Sequence, residues 1–157
     1  MAIYAFYRAP GDWRDQVIRA ATGSPYSHAE LLHTRPSGGE ALCISASKRD
    51  GGAVRRKMIR FKPGHWDFIN VTSINIDAAW SRAAAHLGEP YDTLGAILTV
   101  TPWARERPGR WFCSEILGLS AGLHAPYRHH PGSLAAAFLT DMGGTRWRQP
   151  SLGGATY

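Results

Sequence analysis

The sequence predicts an α+β domain: an antiparallel sheet with helices packed on it. Three observations lead there. Short runs rich in aromatic and β-branched residues fill the first half of the chain. Segments of helical period fill the second half. Gly and Pro punctuate both, and strands followed by helices is the order of an α+β architecture. The chain has 157 residues, a length that fits one domain with one core. That domain is assigned to residues 1–142, and residues 143–157 are expected to be an irregular tail.

AIYAFY, residues 2–7, reads as a short buried strand. Asp12 is an N-cap for a helix to Thr22, with Val17, Ile18 and Ala21 as its apolar side and Gly23 as its stop. Ser24-Pro25 returns the chain to an extended form. YSHAELLH, 26–33, reads as a strand that sets Tyr26, His28, Glu30 and Leu32 on one face. TRPSGG is a turn, and ALCISAS, 41–47, a second, antiparallel strand. KRDGG turns again, and KMIRF and WDFINVT are two further strands around Pro63-Gly64. Asp77 opens a helix through Leu87, and Asp92 caps another in PYDTLGAIL. A helix to Gly122 carries Cys113, and SLAAAFLTDM follows Pro131-Gly132.

Composition narrows the function classes. The apolar fraction is 44% and the formal charge +6. No apolar run is long enough for a membrane span. The positive charge is scattered, serves solubility and is compatible with anionic partners, but no nucleic-acid module accompanies it. Two cysteines, Cys43 and Cys113, are too few for a disulfide framework. The first residues lack the features of a secretory signal, so the expected location is cytoplasmic as synthesised. No phosphate-loop motif is present and no cofactor is expected. Cys43, Cys113, His28 and His33 lack zinc-finger spacing, and alternation separates His28 from His33, so no metal site is expected either.

RWFCSEILGL, 110–119, places Cys113 at the start of an apolar helix. Lone cysteines are commonly buried packing residues. A helix N-terminus, however, favours a thiolate, and cysteine pKa values there fall to roughly 3.5–7.5. The amides of the same turn can hold an oxyanion, and Trp111 and Phe112 can wall off water. A nucleophilic cysteine needs a base. His28 stands two residues before Glu30, so both side chains leave one face roughly 7 Å apart along the strand. A carboxylate there can hold one ring nitrogen and free the other for the thiol.

SHAEL at 27–31, EPYDTLG at 89–95, WFCSE at 111–115 and PGSL at 131–134 occur in that order. Together they resemble the circularly permuted papain-like cysteine hydrolases, the YiiX-like branch of the NlpC peptidase superfamily, more distantly the lecithin:retinol acyltransferases. SASKRDGGAVRRK, 45–57, is similar to phage and prophage members of that branch. The resemblance implies Cys113 as nucleophile and His28 as general base. Many relatives carry the orienting residue as a Glu on the next strand, where this chain reads Ser45-Ala46. Glu30 is assigned that role, with Ser45, Ser47 and Asp50 as alternatives. Tyr91 matches a family tyrosine near the site. Tyr91, Ser45 and Trp111 are the expected substrate-binding residues, while Asp92 reads as an N-cap and Glu115 as a first-turn acid.

The function this implies is a cysteine peptidase or amidase acting through a thioester, with a peptide or amide substrate such as a peptidoglycan stem peptide. Delivery to a wall would need a phage particle, lysis or a secretion system. The alternatives are a lipid acyltransferase or thioesterase, and a non-catalytic papain-like binding module of a phage particle.

Overall fold

Six strands form one antiparallel sheet in the order β4-β3-β2-β1-β5-β6. They are β1 (Ala2–Tyr7), β2 (His28–Leu32), β3 (Glu40–Ser47), β4 (Ala53–Arg60), β5 (Trp66–Val71) and β6 (Thr145–Trp147). Five α-helices complete the fold: α1 (Trp13–Thr22), α2 (Ile76–Ala84), α3 (Thr93–Leu98), α4 (Cys113–Ser120) and α5 (Pro131–Thr140). The computed structural model describes residues 1–149. Among these, no helix is long and apolar enough to cross a membrane.

Alternation along the strands divides the apolar residues between two faces. Tyr4, Phe6, Ala29, Leu31 and Ile44 enter the main core and meet Ile116 and Leu117 of α4 and Leu134 and Phe138 of α5. Ile3, Ala5, Leu32 and Cys43 face the other way, against Phe61 and Phe68. The main core is fixed by rings: Phe138 lies 4.3 Å from Tyr4 and 6.2 Å from Phe6, centroid to centroid. Tyr26 packs there too, 5.4 Å from Phe6. It precedes β2 and does not share the face of His28, as unbroken alternation from residue 26 had predicted.

The helix caps follow the sequence. Asp12 accepts from the Arg14 and Asp15 amides, and the Asp15 carboxylate takes the Asp12 amide in return. Gly23 ends α1 at φ 60°, a left-handed position that glycine adopts without steric cost. Asp92 caps α3 through the Gly95 amide. Pro131 starts α5, where its missing N–H costs nothing.

Two further expectations are corrected. Residues 143–157 were to be irregular, but Thr145–Trp147 pairs with β5, Trp147 opposite Phe68. Their rings stack at 4.3 Å, an attachment that hydrophobic periodicity over three residues cannot reveal. Residues 150–157 of the predicted tail lie outside the described residues. The apolar side predicted for α1 is not buried either. Val17 and Ala21 are exposed, and α1 instead buries the carboxylate of Asp15. A carboxylate satisfied by partners has taken the place that a hydrophobic stripe ordinarily holds.

Urea unfolding should therefore rank two substitutions against their hydrophobicity in the sequence. Phe138→Ala, in the three-ring cluster, should cost about 3–5 kcal/mol. Val17→Ser, on the exposed side of α1, should change stability by less than about 0.5 kcal/mol.

Candidate active site

His28 is the first residue of β2 and Cys113 the first of α4, and their side chains meet where the two elements begin. Cys113 lies close enough to the His28 ring to favour its charged form. His28 Nε2 lies 2.8 Å from Glu30 Oε1, which leaves Nδ1 for the thiol. Both groups sit near the surface without being fully open to it: the His28 side chain is 23% exposed and Cys113 6%.

Glu30 is fully enclosed, and its charge needs a second cation. Arg55 supplies it from β4, donating Nη1 to Oε2 at 2.8 Å and Nη2 to Oε1 at 2.5 Å. The sheet register explains the reach. Leu31 pairs with Ile44, so the next residue back sets Glu30 beside Ser45, and Ser45 pairs with Arg55. Three neighbouring strands thus present Glu30, Ser45 and Arg55 in one row. Asp50 in the β3–β4 turn holds the outer edge of Arg55 at 3.1 and 3.2 Å and is itself held by Lys57 at 2.5 Å.

This row separates the four candidates for the residue that orients His28. Ser45 donates its hydroxyl to the Ala29 carbonyl at 2.7 Å. Ser47 accepts the Asp50 amide and closes the turn. Asp50 is spent on Arg55 and Lys57. Glu30 is the carboxylate in contact with the ring.

The protonation states follow. Burial disfavours a charged His28, but the contacts with Cys113 and Glu30 outweigh it and raise the ring from 6.5 to about 10. Burial would likewise raise Glu30, yet the hydrogen bonds from Arg55 and His28 hold its carboxyl below the usual range. The resting arrangement is an imidazolium between a carboxylate and the Cys113 sulfur. Stability drawn from the charged ring is complete below pH 6.5 and lost as pH rises through about 10. Cys43 lies near Glu30 but is sealed: burial, then the Glu30 charge, push its thiol up, and it packs as a hydrophobe.

Other residues hold the frame. Ile116 and Leu117 anchor α4 in the main core. Before the helix, Tyr91 and Trp111 form a parallel bridge, with the Asp92 amide on the Trp111 carbonyl and the Trp111 amide on the Pro90 carbonyl. Tyr91 is thereby held beside Cys113. Burial, and then the charges of Cys113 and Asp92, raise its phenol. The Trp111 indole donates to Glu89 and its ring packs on His86 at 4.4 Å. Glu115 accepts the Phe112 amide, and burial raises its carboxyl to about 8.

On the other side, α1 secures the residue before His28. Ser27 donates its hydroxyl to buried Asp15 at 2.8 Å, and Arg49 bridges Asp15 and Asp12 at 2.8 and 2.9 Å. A side chain at Gly11 would strike Asp15 within 2.0 Å, at a φ of +61° that already requires glycine. Asp15, Arg49 and Arg55 were not anticipated from the sequence. The signal for Arg55 lay in the KRDGG turn, which sets its pairing with Ser45; Asp15 had only its capping-box spacing after Asp12. Among the described residues, no group of three or more His, Cys, Asp or Glu is placed to hold a metal; His33 meets the Trp80 ring edge to face at 4.8 Å.

Two measurements test this geometry. NMR titration of His28 should give a midpoint near 10, falling toward 6.5 in Glu30→Gln and in Cys113→Ser. Arg55→Met should lower stability by about 3–5 kcal/mol, because it strands a buried carboxylate. Arg55→Met/Glu30→Gln should recover part of that loss.

No family model matches the chain, and no curated protein matches it in sequence. Among solved structures it is similar to the metalloprotein yiiX from Escherichia coli O157:H7, DUF1105, with a TM-score of 0.51 and 19% sequence identity. The match covers 76% of this chain and 62% of that one, so the chain spans less than two thirds of its structural neighbour. The likeness is one of fold: the chain has the α+β architecture of the YiiX-like, papain-like type, built here on a six-stranded antiparallel sheet.

Proposed function

We propose that the protein is a cysteine hydrolase that cleaves amide bonds through a thioester on Cys113. The observation that carries this reading is a His28 ring held by Glu30 at 2.8 Å on one nitrogen, with Cys113 close enough to help keep its proton. A packing cysteine needs no imidazole, and a structural His–Glu pair needs no thiol at its free nitrogen.

The chemistry follows from those contacts. The pair reacts as imidazolium and thiolate, the proton of the thiol already resting on His28, and the sulfur attacks the carbonyl carbon of the substrate. Amides of the first turn of α4 lack intrahelical acceptors and can receive the developing oxyanion. The tetrahedral intermediate collapses, the C–N bond breaks, and the imidazolium gives its proton to the leaving amine. Water, deprotonated by His28, then attacks the thioester, releasing the acid and restoring the thiol. Glu30, locked by Arg55, keeps the ring in one orientation throughout. Tyr91, beside the sulfur, is the candidate for contact with the substrate.

A peptide amide, including one in a peptidoglycan stem peptide, is the proposed substrate class, and its carboxylates suit a chain of charge +6. Peptidoglycan fragments, peptides and phospholipids incubated with the protein and analysed by mass spectrometry should yield an amide-cleavage product that Cys113→Ser does not make. Iodoacetamide should alkylate Cys113 rapidly near neutral pH, about 100-fold more slowly in His28→Ala. Equal alkylation rates, with no product specific to the wild type, would leave a binding module rather than an enzyme.

A further inference from the structure

We infer that α3, the turn after it and the exposed side of α1 form a docking face for a phospholipid surface with anionic headgroups. Leu94, Ile97, Val100 and Trp103 recur every third residue from α3 into the following turn, and all four are exposed, Ile97 by 60% and Trp103 by 73%. On α1, Trp13 is 67% exposed and Val17 56%. Single exposed apolar residues are ordinary; a run of this kind marks an interaction surface. Thr22 at the end of α1 and Thr99, Val100 and Pro102 beyond α3 line one shallow groove of about 540 Å³.

Charge identifies the occupant. Arg14 lies over the Trp13 ring at 5.3 Å, Arg105 and Arg110 follow Trp103, and Arg128 borders the groove. None of these four is paired with a carboxylate among the described residues. Glu106 is the exposed acid among them, since Asp12 is bound to Arg49. Exposed tryptophans and aliphatic side chains flanked by unpaired arginines match a bilayer interface, where indoles settle at headgroup level and cations meet lipid phosphates. A protein partner of ordinary polarity would not call for so one-sided a charge.

The face adjoins the candidate site. Helix α3 begins two residues after Tyr91, and α1 begins at the Asp12–Asp15 cap that binds Arg49, whose charge is felt at Tyr91. Docking would bring the His28–Cys113 side of the domain toward the membrane plane. This goes beyond the hydrolase reading and does not depend on it.

Co-sedimentation tests it with the full chain and two vesicles: equal parts phosphatidylcholine and phosphatidylglycerol, and phosphatidylcholine alone. The wild type should bind the anionic vesicles, and added salt should weaken that binding. Ile97→Ser/Trp103→Ser should lower the partition coefficient roughly ten-fold or more. Arg105→Gln/Arg110→Gln should remove much of the preference for phosphatidylglycerol. Cys113→Ser should bind as the wild type does, and Ile97→Ser/Trp103→Ser should keep wild-type alkylation of Cys113, so the two readings fail separately. Absence of wild-type binding, or equal binding by the Ile97→Ser/Trp103→Ser variant, overturns the inference. So does a wild-type dimer that this variant dissociates, which would assign the face to a second copy.

Discussion

A carboxylate enclosed in protein must be neutralised by protons or by cations, and Glu30 takes two cations. The cost of stripping water from that charge is several kcal/mol, recovered only when geometry and hydrogen bonds are complete. His28 and Arg55 complete them, one along the strand and one from two strands away. Much of the site follows from this requirement. The ring is held through one nitrogen, the other is left free of Glu30, and its proton is retained. The requirement also joins the site to the fold, because Arg55 reaches Glu30 only if β2, β3 and β4 keep their register. A shift by one residue would turn Arg55 to the opposite face.

The two faces of the sheet divide the work. The face toward the helices is apolar and provides the packing that fixes α4, with Ile116, Leu117 and Phe138 among its fully buried side chains. The other face is mixed: an aromatic cluster around Phe61, Phe68 and Trp147 at one end, and the Glu30–Arg55 pair at the other. Cys113 sits where an apolar helix, anchored by burial, begins beside that polar row.

Local signals in the sequence were readable because local physics produced them. Asp12, Gly23, Asp92 and Pro131 mark helix ends through backbone hydrogen bonds and dihedral preferences that act over a few residues. The spacing of His28 and Glu30 gave their contact, since strand alternation is equally local. What escaped was long-range. Arg55 reads as one charge among many until β3 and β4 are paired. Asp15 reads as part of a cap until Ser27 and Arg49 close on it. Val17 and Ala21 look like a core stripe, and only the packed structure shows that nothing covers them. Thr145–Trp147 is too short to show a period and gains its order from Phe68.

The order of the reacting groups along the chain has a consequence during synthesis. The ribosome releases the imidazole and its two charged supports early, while the sulfur emerges only after all of the first five strands. Until α4 has left the exit tunnel and docked, the His28 ring can have Glu30 beside it but not Cys113. The sulfur joins the imidazole last, when α4 docks on a sheet whose first five strands have already been made.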